Sequence, residues 1–438
     1  MQQLMSESVQ ASVRPHECED TYYADRHNSK VQCFPSVVEN RFVVALPSLN
    51  GNSTSTVTLN PDGLLTDVIL TVVMGAPSVP NAPDAAGTGL ALTRGWLYQL
   101  IDRISIRYAG SSLYYFLGEQ ELIEVLAECE DSIKRDNMLV LGGAEIKSPA
   151  DWANADLRTA SIYIKLPHNS PSAQEKPIGF PTDAISAPVQ IQVSFKPFSA
   201  IFLANATENA TLAQVQASIP SQLSTAEVQF KQAHLQDRAD AIASREDLSK
   251  HALSIPLKNF MQSQFSTNLP AQTPAATTVN LTGYRSGSVQ GIYIWAVQTA
   301  DLSSVGAKQP LRYVPLKSVE LSVNGLVYYR SSNNNSQMWN LCERKTACQF
   351  SSTSLAWDAP SQTYLPTAMA GYFVWIPFAQ GQEVLRDESM LTNGLGIANS
   401  VVNLSVDTGL DGVQCTLYAS YLYNCTILAS GGSCDYVF

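Results

Sequence analysis

Metal binding or acid/base catalysis in this chain would fall first to its histidines and clustered carboxylates. The five histidines, His16, His27, His168, His234 and His251, are far apart. None forms the H-x-x-x-H or H-E-x-x-H pair that sets two imidazoles on one helix face. Glu119, Glu121, Glu124 and Glu128 form one carboxylate cluster. At helical spacing they fall mostly on the polar side of their segment, so a solvated face is expected rather than an acid/base pair. There is no G-x-S-x-G elbow for a serine nucleophile and no D-x-[DN]-x-[DN]-G calcium loop. "GTGLAL" and "GLGIAN" begin like phosphate-binding loops but lack the third glycine and the strand-to-helix setting, and are read as loops. Cys18, Cys33, Cys129, Cys342, Cys348, Cys415, Cys425 and Cys434 include no C-x-x-C pair and are read as packed thiols. Cys342 and Cys348 could pair in an oxidising medium. Trp357, in "LAWDAPSQTYLP", is the one aromatic whose setting looks like an exposed loop able to stack on a sugar. The expectation is no catalytic residue, no cofactor-binding residue, no cofactor and no metal ligand; the chain is not read as an enzyme.

The elements that would position such residues are strands. "TDVILTVVM" is rich in β-branched residues, and in "PVQIQVSF" Val189, Ile191, Val193 and Phe195 alternate with polar neighbours, as in a half-buried strand. "VNLSV" alternates in the same way. Near the C-terminus Val413, Cys415, Leu417, Ala419 and Tyr421 share one parity while Tyr418 and Leu422 occupy the other, which predicts a strand covered on both faces. Helices are expected to be short. Glu119–Glu128 has helical spacing, and Ser148-Pro149 reads as a cap followed by proline at the first helical position. "ATENATLAQVQASIPSQLSTAE" and "STNLPAQTPAATT" are read as surface loops.

Composition narrows the function. Charged residues make up 15% of the 438, against roughly 25% in ordinary soluble domains, and Ser, Thr, Asn and Gln carry the polar surface. A net charge of −11 argues against direct nucleic-acid binding. "MQQLMSESVQ" lacks the basic and apolar regions of a signal peptide, and no apolar run nears the roughly 20 residues of a membrane helix. Synthesis and folding in a cytoplasm are therefore expected. In that setting the seven N-x-S/T sequons, at Asn52, Asn205, Asn209, Asn280, Asn334, Asn403 and Asn424, are read as chance in a chain rich in these residues.

One unit occurs twice. "ISIRYAGSSLYYFLGEQELIEV" and "VELSVNGLVYYRSSNNNSQMWN" share a strand–turn–strand–helix layout, with Gly110 and Gly325 lying 215 residues apart. At that offset Ile104, Ile106 and Tyr108 match Val319, Leu321 and Val323, and Ile123 and Leu126 match Met338 and Leu341. Asn324-Gly325 is a strong two-residue hairpin signal; Ala109-Gly110 is weaker and predicts a longer turn through Ser111. "IYIKLP" matches "YFVWIP" at an offset of 210, and Val193 matches Val406 at 213. The ordered set predicts a duplicated β-sandwich.

These segments, in this order, resemble the double jelly-roll major capsid proteins of large and mid-sized eukaryotic double-stranded DNA viruses. The resemblance runs from about residue 36 to 438. It is carried by "GWLYQLIDRISIRYAGSSLYYFLGEQEL", "SIYIKLP", "APVQIQVSF", "VQFKQAHLQDRADAIASRED", "LKSVELSVNGLVYY" and "LYASYLYNCTILASGGSCDYVF". One departure is "HNSPSAQEKPIGFP", which stands where the family usually has an aromatic-rich stretch. The fold class implied is all-β, two tandem eight-stranded jelly-roll sandwiches with a few short helices. The expected division is an N-terminal arm over 1–40, a first jelly roll over 41–236, a helical connector over 237–252 and a second jelly roll over 253–438. The resemblance further implies a homotrimeric, pseudo-hexagonal capsomer that tiles an icosahedral virion shell. Implied partners are further copies of the chain, neighbouring capsomers, and minor capsid and penton proteins, with an inner membrane left open. The alternative, from a different class, is a viral fibre, attachment or carbohydrate-binding β-sandwich protein.

Overall fold

A computed structural model of the chain describes residues 37–59, 63–78, 89–108, 111–116, 118, 122, 132–164, 180–182, 188–235, 253–269, 277–280, 288–299, 314, 316–332, 347–377, 395–396, 400–408, 412–430 and 433–437. The first half contributes β1 (Val37–Ala45), β2 (Thr54–Leu59), β3 (Leu64–Val73), β4 (Leu90–Ala91), β5 (Ile101–Tyr108), β6 (Ser111–Phe116), β7 (Thr159–Tyr163), β8 (Phe180–Pro181), β9 (Val189–Phe195), β10 (Leu203–Ala204) and β11 (Thr225–Leu235). The second contributes β12 (Leu253–Leu269), β13 (Thr277–Asn280), β14 (Ser288–Gln298), β15 (Ser318–Val323), β16 (Leu326–Ser332), β17 (Ala347–Asp358), β18 (Thr363–Pro377), β19 (Leu395–Gly396), β20 (Val402–Asp407), β21 (Cys415–Ser430) and β22 (Ser433–Val437).

The two halves have the same strand order. In the first, one sheet runs β1-β11-β3-β7 and the other β2-β9-β5-β6. In the second, the corresponding sheets run β12-β21-β14-β18, extended by β17, and β13-β20-β15-β16. Neighbours such as β1 and β11 are antiparallel and far apart in sequence, the Greek-key connectivity of a jelly roll. Both sheets of the first half feed one core, with Val57, Val68, Ile106, Ile191 and Val228 among its members. A second core joins Ile292, Leu321, Leu404 and Leu417. Alternation delivers these residues: β9 and β20 bury every second side chain. β21 is covered on both faces as expected, with Thr416 and Ser420 buried on the opposite parity from Leu417 and Ala419.

The copies agree in register as well as order. Tyr108 pairs with Ser111 and Ile104 with Phe116, while Val323 pairs with Leu326 and Val319 with Ser331. Each hairpin carries a bulge at the same place. Leu113 is the extra residue between the pairs Ile106–Tyr114 and Arg107–Ser112, and Tyr328 is the extra residue between Leu321–Tyr329 and Ser322–Val327. A second bulge recurs too. Thr66 is left out between the partners of Gln232 and Lys231, and Gln290 between those of Tyr423 and Leu422. These bulges set the cores: Leu65 and Val68, three residues apart, enter the same core, as do Val289 and Ile292, because the extra residue restores the parity.

Several expectations are corrected. Ser111 belongs to β6 and pairs with Tyr108, so the first hairpin needs no longer turn through it. Ile162 pairs with Leu70 and Val374 with Ile294, which places the "IYIKLP" and "YFVWIP" strands 212 residues apart, not 210. A shift of two keeps every side chain on its face, so the alternation could not reveal it. The segment from Ala206 to Glu227 holds a helix, Leu212–Ala217, capped by Thr211 and Gln214, with Val215 buried, and its last residues start β11. The ends of "STNLPAQTPAATT" belong to β12 and β13. The Ser148 cap is as expected, and Asp151 completes a capping box around Pro149–Ala153. Two helices were not anticipated: Trp96–Leu100, buried on all sides, and Ser132–Leu141. Residues 1–36, the connector over Asp237–Ser249 and most of Glu119–Glu128 lie outside the described residues.

Candidate assembly surfaces

Among the described residues the chemistry-bearing side chains do not converge. Among the described residues no group of three His, Cys, Asp or Glu side chains is placed to hold a metal ion. Glu119, Glu121, Glu124 and Glu128, and His16, His27, His168 and His251, lie outside the described residues; His234 is on β11. Arg107, on β5, donates from Nη2 to Gln192 Oε1 at 3.2 Å, a cross-strand contact. Cys415 is buried, and its thiol donates to Val413 O at 3.9 Å. Cys342 lies outside the described residues, so its pairing with Cys348 does too. No helix among the described residues is long and apolar enough to cross a membrane.

The site that the geometry does build lies between the halves. β17 and β18 form a long hairpin whose tip is held by Asp358, which accepts from Ser361 N at 3.1 Å. That hairpin reaches β4 and β10 of the first half. Leu355 and Tyr364 form a buried cluster with Ala91 and Leu203, with Trp357 packed against it. Trp357 is therefore not on an exposed loop: it lies on β17, paired with Tyr364, their rings edge to face at 5.0 Å. Tyr364 OH donates to Gly89 O at 3.2 Å and accepts from Asn205 Nδ2 at 3.0 Å. Burial raises the Tyr364 pKa to about 12, and the Asn205 bond partly opposes this. Glu208 N donates to Gln362 Oε1 at 3.0 Å. The Asn205 amide, the acceptor atom of one sequon, is thus engaged in the contact. Deeper in, Tyr293 and Trp295 of β14 belong to the first-half core, with Trp295 stacked on Tyr418 at 5.5 Å.

A third contact joins the halves through an edge. β6, the outermost strand of β2-β9-β5-β6, lies against β12 and β22 of the second half. Its counterpart in the second half, β16, is outermost in β13-β20-β15-β16 and exposes Leu326, Val327 and Tyr328. The counterpart of β12 is β1, the outer strand of its own sheet, which exposes Phe42 and Val43. Phe42 stacks on Phe230 at 5.1 Å, so its ring is fixed but only partly covered. These surfaces were not singled out in the sequence; the signal was there in the continuous apolar run "LVYY" on a strand at the end of a sheet.

No protein-family model matches the chain, and no curated protein matches its sequence. Solved structures do. The chain of the PBCV-1 virus capsid is 11% identical, with 94% of this chain and 98% of that one covered and a TM-score of 0.60. The cryo-EM structure of the Sputnik virophage is 10% identical over 94% and 91%, with a TM-score of 0.52. The Faustovirus major capsid protein is 10% identical over 92% of each chain, with a TM-score of 0.50. The likeness spans both sandwiches and is one of fold: the chain is a double jelly roll, the fold of these viral capsid proteins.

Proposed function

We propose that the chain is a major capsid protein, a non-enzymatic building block that assembles into homotrimeric, pseudo-hexagonal capsomers of an icosahedral virion. The observation that carries this is the register-level duplication of one jelly roll within a chain. Two like units per chain give six like units in a trimer, which suits a hexagonal lattice. The likeness to viral capsid chains over nearly the whole length supports the same reading. The unit boundaries proposed are 41–236 and 253–438, joined by a connector over 237–252. Residues 1–40 act as an arm to neighbouring capsomers or to minor capsid and penton proteins. The chain is made in a host cytoplasm and resides in the shell. With a net charge of −11 it does not bind the genome directly. The attachment-protein alternative loses its best support, since Trp357 packs in the inter-half contact.

The test is solution mass together with negative-stain microscopy of the purified chain. A trimer with a hexagonal outline is expected. A stable monomer that binds glycans overturns the proposal.

A further inference from the structure

We infer that Asn324 is a gated modification site: a clasp from the segment before β20 keeps its amide intact, and opening of the β15–β16 hairpin tip releases it to spontaneous deamidation. Asparagine is thermolabile, and its usual route is attack by the next backbone nitrogen on the side-chain carbonyl carbon. Here Gly325 N bonds to Asn324 Cγ. The Cγ–Nδ2 bond breaks, and the Gly325 N–H proton leaves with the amide nitrogen as ammonia. Water then opens the succinimide ring at either carbonyl, giving aspartate or isoaspartate. Water is the only co-reactant.

Two observations meet at this pair. The first is that nothing crowds the nucleophile. Asn324 and Gly325 are exposed, and a Cβ placed on Gly325 would meet nothing within 4 Å. The second is that the amide is held at both ends. Val401 N donates to Asn324 Oδ1 at 2.9 Å, and Asn324 Nδ2 donates to Ser400 Oγ at 3.2 Å. The backbone is tied to the same segment, with Asn324 N donating to Val401 O at 2.8 Å. The turn adds a restraint. Asn324 and Gly325 have φ of 51° and 79°, as a two-residue hairpin turn requires. Closing the succinimide ring needs a rotation about Asn324 Cα–C that carries Gly325 N round to the side chain, and that rotation breaks the turn. The reaction therefore waits for the tip to open, and local opening of a turn costs far less than global unfolding. The step is one-way. Isoaspartate adds a carbon to the backbone between Val323 and Leu326, whose pairing closes the hairpin, so a tip that has reacted in this way does not re-form the same turn.

The test incubates the purified full chain at mildly alkaline pH, with peptide mapping by mass spectrometry reading the fraction of Asn324 converted. In urea Asn324 is expected to react as fast as Asn50, which also precedes a glycine; a much slower rate there overturns the inference. In the folded chain Asn324 is expected to react at least about tenfold more slowly than in urea, because the bonds to Ser400 and Val401 oppose it. Ser400→Ala removes one of these bonds and is expected to speed the folded-state reaction about two- to tenfold, with circular dichroism checking the fold. If folded and unfolded chains react alike, or if Ser400→Ala leaves the rate unchanged, the inference is wrong. If Ser400→Ala does not fold, the wild type in a urea series decides. Conversion that rises below the unfolding transition supports a gated tip, and conversion that rises only with global unfolding overturns it.

Discussion

At the scale of single residues, two glycines show opposite reasons for their place. Asn324 and Gly325 have φ of 51° and 79°, the paired positive values of a two-residue hairpin turn. A Cβ on Gly325 would meet nothing within 4 Å, so Gly325→Val acts only through backbone strain, about 1–2 kcal/mol. Denaturant unfolding should show that loss, and trimer yield should fall because the turn carries β16. Gly143 is the reverse. Its φ is 127°, and a Cβ would sit 2.4 Å from the buried Trp96 ring. Gly143→Ala should therefore cost about 3–5 kcal/mol, enough to prevent accumulation of folded protein. Tyr364 gives a pH signature. Its phenol titrates near 10 when exposed but at about 12 here, chiefly through burial. The folded state therefore holds the proton where the unfolded state has lost it. The stability from the neutral phenol is complete below pH 10 and is lost as pH climbs from about 10 to about 12, by up to about 2–3 kcal/mol. In Tyr364→Phe the difference from wild type should shrink over that range when unfolding is followed at successive pH values. A constant difference would show that the phenol is not buried in this contact.

At the scale of elements, the duplicated bulges decide which face each strand presents. On β14, Val289 precedes Gln290 and faces the second core with Ile292 and Ile294, while Tyr293 and Trp295 face the first. Deleting Gln290 would leave Val289 and Ile292 two residues apart and still on one face, with Val289 and Gly291 in regular register with Tyr423 and Leu422. We expect the deletion to keep unfolding cooperative, measured by heating, with a midpoint only modestly lowered by loss of the local twist the bulge adds; loss of the cooperative transition would show that the bulge itself is required. Most of this architecture was legible in the sequence, because period-two alternation in β9 and β20 and the Asn-Gly turn are local signals. The Ser148 cap with Pro149 after it was legible for the same reason, though not its reciprocal partner Asp151. What was hidden has a physical cause in each case. Trp96–Leu100 is buried all round, Gln99 included, so it has no helical stripe to detect. Thr211 and Gln214 do carry a capping signature, but the helix they start has only six residues. The bulges leave no mark in composition.

At the scale of the whole molecule, the two jelly rolls are not independent bodies. The first-half core includes Tyr293 and Trp295, and the β17–β18 hairpin plants Leu355 and Tyr364 on β4 and β10. None of this was legible, since contacts between distant strands depend on how the sandwiches pack, and the sequence had suggested an exposed loop at Trp357. The same packing makes part of the sheet surface, at β4, β10 and β14, internal to the chain rather than solvated. A consequence separates this view from that of two beads on a linker. Residues 41–236 produced alone would expose the surface that Trp295 and Tyr364 cover. Burying a large aromatic is worth about 1.5–3 kcal/mol, so losing several such contacts removes a large part of a typical stability of about 5–15 kcal/mol. The fragment should therefore be aggregation-prone alone, and should copurify in a one-to-one complex when residues 253–438 are produced in the same cell. A soluble, cooperatively folded 41–236 with no affinity for 253–438 would show that the inter-half contact adds little, and that the duplication serves only the outer geometry.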